Sequence, residues 1–118
     1  MTDYIQVLTT APNKEAAQTI ADALLHEKLA ACVQIVGPIE SRYWWQGKLE
    51  TVEEWQCLAK SSLHLYTRLE ETIRRVHPYE VPEILVTRIE TGHAAYLDWL
   101  QGELKGGQDE KTITKDHG

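Results

Sequence analysis

The segment from Ala31 to Ser61 holds two apolar runs on either side of a turn signal. Val33, Ile35, Val36, Ile39 and Tyr43 precede the turn, Leu49, Val52, Trp55, Cys57 and Leu58 follow it, and Gln46-Gly47 sits between them. This is the pattern of a β-hairpin. Its length constrains the chain more than any other feature. Each arm has about 15 residues and runs roughly 50 Å if extended. A compact domain of 118 residues has a radius of gyration of only about 13–14 Å, hence a diameter of roughly 35 Å. Such a ribbon outgrows its own domain, and an uncovered ribbon carrying Trp44, Trp45 and Trp55 would aggregate. Either the arms are broken by bends or another copy of the chain covers them. Gly37-Pro38 supplies one break, because proline has no N–H to give a central ladder. The remainder is assigned to a partner subunit. A shorter hairpin with loops at both ends is the alternative.

The chain is long enough for one domain with a small core. It is 42% hydrophobic and 25% charged, which fits a soluble globular protein. The net charge of −6 removes the attraction to phosphate that supports nonspecific nucleic-acid binding, so nucleic acid is not expected as a partner. No apolar run approaches the ~20 residues of a membrane span, so no membrane is expected either. The start, MTDYIQVLTT, lacks the basic n-region of a signal peptide, which favours the cytoplasm. Cys32 and Cys57 form no CxxC pair, and in a reducing compartment each is expected as a small buried hydrophobe. A disulfide between the arms is the less favoured alternative.

Tyr4–Leu8 reads as a strand, followed by a helix to about Lys28 that Thr10 or Asn13 can cap, with Pro12 tolerated at its start. Ala17, Ile20, Ala21 and Leu24 form its apolar stripe. After the hairpin, Leu63–Val76 reads as a second helix. Thr67–Glu70 matches a capping box that would delay its start, and Pro78 stops it. Ile84–Ile89 is a β-branched strand, Gly92 breaks it, and Ala94–Leu104 is a third helix. Residues 1–104 are thus expected as one domain, and 105–118 as a polar, disordered tail. The order β-α-β-β-α-β plus a helix gives an α+β fold of the split-βαβ, ferredoxin-like type, with two helices on one face of an antiparallel sheet. A closed ring of identical subunits would cover the other face.

The most unusual local sequence is HPYEVPE, His77–Glu83. Pro78 and Pro82 stiffen it on both sides of Tyr79 and Glu80. Two readings are open: a rigid connector that presents His77, Glu80 and Glu83 to a ligand, or a plain helix-to-strand turn with solvated carboxylates. As a metal site, His77 with carboxylates suits copper or zinc, although a closed site usually needs more strong ligands than one histidine. Tyr43 and Trp44 beside the turn suit an interface or the wall of a pocket. Lys60 reads as a buried cation or as a lysine that snorkels to water. No nucleophile elbow, Walker loop or dinucleotide fingerprint is present, and the chain is not expected to be an enzyme.

Several stretches together resemble the CutA family of divalent-cation tolerance proteins. They are VLTTAPN at 7–13, KLAACVQI at 28–35, SRYWWQGKLE at 41–50, Glu54 with Lys60, HPYEVPEI at 77–84 and YLDWL at 96–100. The resemblance implies a ferredoxin-like homotrimer, related in architecture to the PII signalling proteins, and a role in tolerance of divalent metals. It also implies copper binding in some members, through a cysteine in the first strand and a His-His pair before PY. Thr9 and Val76 stand at two of those positions here, and His77 at the third. The site is then expected in a cleft between subunits. His77 is its metal ligand for copper or another divalent cation, Tyr43, Trp44, Lys60, Tyr79, Glu80 and Glu83 are its binding residues. A trimeric signalling or scaffold protein that binds a small molecule or a protein partner is the alternative.

Overall fold

The structure is a computed structural model that describes residues 3–106. Four strands, β1 (Tyr4–Ala11), β2 (Cys32–Trp45), β3 (Lys48–Ser62) and β4 (Ile84–Arg88), alternate with helices α1 (Lys14–His26), α2 (Tyr66–Val76) and α3 (Ala94–Glu103). The sheet is antiparallel throughout, in the order β2-β3-β1-β4. This is the expected ferredoxin-like arrangement with an added C-terminal helix.

The helix ends follow from local chemistry. The Asn13 side chain accepts a hydrogen bond from the Ala16 N–H at 2.8 Å and caps α1. The helix stops at His26, two residues short of expectation, because Lys28 takes a left-handed conformation with φ +56. The Leu29 N–H then turns back to the Leu24 carbonyl at 2.9 Å. The capping box at Thr67–Glu70 is not used. A short 3₁₀ turn, Leu63–Leu65, leads into α2 at Tyr66, and the Glu70 carboxylate instead accepts from the Tyr66 hydroxyl at 2.7 Å. Ile89 falls outside β4, yet its N–H still donates to the Tyr4 carbonyl at 2.9 Å. Lys105, expected in the tail, donates its N–H to the Lys28 carbonyl at 2.8 Å; residues 107–118 lie outside the described residues.

The core lies between one sheet face and the helices. Ile5 and Val7 of β1, Ile20 and Leu24 of α1, and Leu69 and Ile73 of α2 are fully buried, and Leu100 and Leu104 close one end. Each such side chain contributes about 1.5–3 kcal/mol relative to exposure. Ala17 lets α1 approach β3 closely enough for the Cys57 thiol to donate to its carbonyl at 3.4 Å. Cys57 is buried and Cys32 half-buried, and both thiols are free.

The hairpin is as long as the sequence requires. Its two-residue turn, Gln46-Gly47, has φ values of +50 and +79, as a type I′ turn demands. Packing against the core ends at Ile35 on β2 and Trp55 on β3. Beyond that point the ribbon projects, stretching the chain to 58 × 25 × 21 Å with a radius of gyration of 15.9 Å. Gly37-Pro38 is the break: two residues of β2 stand opposite Trp55 alone, between the pairs Val36–Gln56 and Ile39–Glu54.

The bulge inverts the faces of β2. Before it, Val33 and Ile35 pair with Ala59 and Cys57 on the helix side. After it, Ile39, Ser41 and Tyr43 pair with Glu54, Val52 and Glu50, the column of β3 that points away from the helices.

Candidate functional site

The inverted face of the projecting ribbon forms one wall of a cleft of about 900 Å³. β2 contributes Ser41, Tyr43 and Trp45, and β3 contributes Val52 and Glu54. Thr10, near the end of β1, forms part of the floor, and the connector from Pro78 to Glu83 forms the opposite wall. Only the shifted register lets a strand that buries Val33 on the helix side turn Tyr43 and Trp45 to the other side.

His77 anchors the connector. It is 8% exposed, and both ring nitrogens are occupied. Nδ1 accepts the Tyr79 N–H at 3.0 Å, so it carries no proton, and Nε2–H donates to the Thr10 carbonyl at 2.6 Å. The ring also packs on the Tyr79 ring, with centroids 4.9 Å apart. One side chain therefore ties the connector to β1 and sets the direction of Tyr79.

Tyr79 reaches across the cleft. Its hydroxyl donates to Glu54 Oε2 at 3.0 Å. Burial, and then the adjacent Glu54 carboxylate, push the phenol up to about 12, so it remains a donor at any physiological pH. Glu54 is only 4% exposed. Glu80 and Glu83 are exposed on the connector at the rim. Arg42 also borders the cleft, held by Glu40 at 3.0 Å in a solvent-exposed pair.

The expected site residues divide. Tyr43, Tyr79, Glu80 and Glu83 meet in the cleft. Trp44 does not: consecutive strand residues point to opposite faces, so Trp44, 73% exposed, lies behind the wall that Trp45 builds. Lys60 does not either. It lies six residues beyond Glu54 along β3, roughly 20 Å away, and its Nζ donates to Gln34 Oε1 at 2.9 Å. Glu54 and Trp45 carry most of the new character of the site. The signal for Trp45 was the parity change at Gly37-Pro38; the signal for Glu54 was the plain alternation of β3, which sets it on the face opposite Cys57 and Ala59.

Among the described residues, the three positions that the resemblance links to copper do not form a cluster of metal ligands. His77 has no free lone pair while it holds Tyr79 and Thr10. Thr9 is buried on the helix side of β1, between Cys57 and Ile84, and Val76 packs against the core. Among the described residues, no group of three His, Cys, Asp or Glu side chains is placed to hold an ion.

Comparison with known proteins places this geometry. The sequence profile of the CutA1 divalent ion tolerance protein family matches residues 5–103. The divalent-cation tolerance protein CutA of Thermus thermophilus is 46% identical over 95 residues, 80% of this chain and 92% of that one. The crystal structure of CutA1 from Oryza sativa superposes with a TM-score of 0.85 at 42% identity, covering 87% of this chain and 94% of that one. The structure described as the periplasmic divalent cation tolerance protein CutA of Archaeoglobus fulgidus gives 0.82 at 36% identity, covering 89% and 100%. With sequence and backbone agreeing from β1 through α3, the chain belongs to the CutA1 divalent ion tolerance family.

Proposed function

We propose that the chain serves divalent-cation tolerance as a non-enzymatic homotrimer, and that it binds a soluble ligand in the cleft between the connector and the projecting hairpin. The observation that carries this reading is the Tyr79–Glu54 hydrogen bond, which holds a polar pair across a cleft large enough for a small molecule. The exposed ribbon supports the trimer: Trp44, Leu49 and Trp45 are 73%, 60% and 50% exposed beyond the core, and sister copies are the natural cover. His77 is in this reading a positioning residue, since its nitrogens hold the backbone rather than a substrate or an ion. The two free thiols support a cytoplasmic location.

Direct coordination of copper, or another divalent cation, by His77 is the second reading. Its support is the nearness of Glu80 and Glu83 in the same connector, and it requires the Tyr79 N–H to leave Nδ1, while Nε2–H can stay on the Thr10 carbonyl.

The test is a thermal-shift screen of the full-length protein, first shown by sedimentation to have three times the 13.5 kDa chain mass. The panel spans cationic, neutral and anionic metabolites, with copper(II) as a separate arm. A metabolite that raises the melting temperature of the wild type, but not of Glu54→Gln, supports the cleft. A shift with copper alone, lost in His77→Ala, supports the second reading.

A further inference from the structure

We infer that the cleft takes an organic polyammonium ion, with one cationic group against Glu54 among the rings of Tyr43, Trp45 and Tyr79 and a second at the rim with Glu80 and Glu83. This deepens the reading above and rests on it.

Glu54 lines the cleft from β3. A carboxylate offers about four acceptor sites, and the Tyr79 hydroxyl fills one. Among the described residues no lysine or arginine pairs with Glu54, although the side chain is 4% exposed. Burial without a cation is costly for a carboxylate, and a bound cation removes that cost. Glu80 and Glu83 are likewise outside every ion pair among the described residues. The one cation on the cleft wall, Arg42, is already held by Glu40. Three carboxylates with no cation of their own set a negative potential, which disfavours phosphates and carboxylic acids.

The walls exclude a bare metal ion as the best fit. Tyr43, Trp45 and Tyr79 line the cleft, and aromatic walls attract an organic cation to their ring faces and bury its carbon chain. A metal ion makes no use of such walls. The volume, about 900 Å³, is also far larger than one ammonium group needs. The distribution of charge, with one buried carboxylate inside and two exposed at the mouth, matches a cation with separated positive groups on an apolar chain.

The test compares three probes of one length: 1,4-diaminobutane, 1,4-butanediol and succinate. Each is titrated by calorimetry into the full-length native assembly. The expected result is saturable binding of the diamine alone, weakening as salt is raised. Glu54→Gln should weaken it at least tenfold, and Trp45→Ala, first shown by sedimentation to keep the native assembly, several-fold. Glu71→Gln, exposed on α2, should change nothing. Saturable binding of the diol or succinate that Glu54→Gln abolishes keeps the cleft as a ligand site and overturns the cationic class. Binding of none of the three overturns the inference, as when a sister subunit's own lysine or arginine fills the cleft. Diamine binding unchanged in both Glu54→Gln and Trp45→Ala overturns it as well.

Discussion

The indole of Trp55 fills the space that any side chain at position 37 would need: a Cβ built on Gly37 drives into the ring. The bulge that inverts β2 is therefore closed from the opposite strand. Gly37→Ala should cost about 1–3 kcal/mol through this overlap, read as a lower urea midpoint with an unchanged slope. Gly47, which has open space around it, is held to glycine by its positive φ and not by a neighbour.

His77→Ala removes two hydrogen bonds from a buried position, one to the Thr10 carbonyl and one from the Tyr79 N–H. We expect a loss of about 1–3 kcal/mol, since both backbone partners are left unsatisfied. The copper isotherm of the native assembly should be the same with and without the substitution. A copper site that disappears with His77 would reverse the assignment of this residue from anchor to ligand.

Tyr66 and Tyr79 are both pushed up to about 12 from 10, by burial first and then by Glu70 and Glu54 respectively. The sign follows from linkage. Below pH 10 both phenols are protonated in folded and unfolded chains alike, and their contribution to stability is fully present. Between pH 10 and 12 the unfolded chain releases protons that the folded chain keeps, so stability falls across that window. A phenolate absorbance titration should show Tyr66 and Tyr79 among the late-ionising tyrosines, with Tyr96 also raised by burial, and Tyr79→Phe should remove one of them.

Thr9 offers a gain. Its hydroxyl is buried at 1% exposure and has no hydrogen-bond partner among the described residues. Thr9→Val keeps the β-branched shape and removes the unsatisfied group. It should stabilise the fold by about 1 kcal/mol, measured by urea denaturation. A loss of stability would mean that the hydroxyl has a partner.

Much of the fold was legible in the residues. Gln46-Gly47 marked the turn, Asn13 the cap, the β-branched run at 84–88 the last strand, and the excess length of the hairpin predicted that it would project. Half of the site was legible in the connector, where two prolines bracket Tyr79 and Glu80. What escaped was the side of the sheet. Gly37-Pro38 was read as an interruption, but a bulge also changes which residues share a face. That exchanged Trp44 for Trp45, while Glu54 escaped because its surroundings depend on which strands and connector meet it rather than on its neighbours in sequence. Lys60 lies apart from this cleft within one chain, because membership of the same ribbon says nothing about position along it.

The projecting ribbon has one mechanical consequence. The cleft straddles the place where the supported sheet gives way to the free arm, with Thr10 and the connector on the anchored side and Tyr43 and Trp45 on the free side. A guest in the proposed site would touch both sides, so its binding would favour one setting of the arm against the sheet.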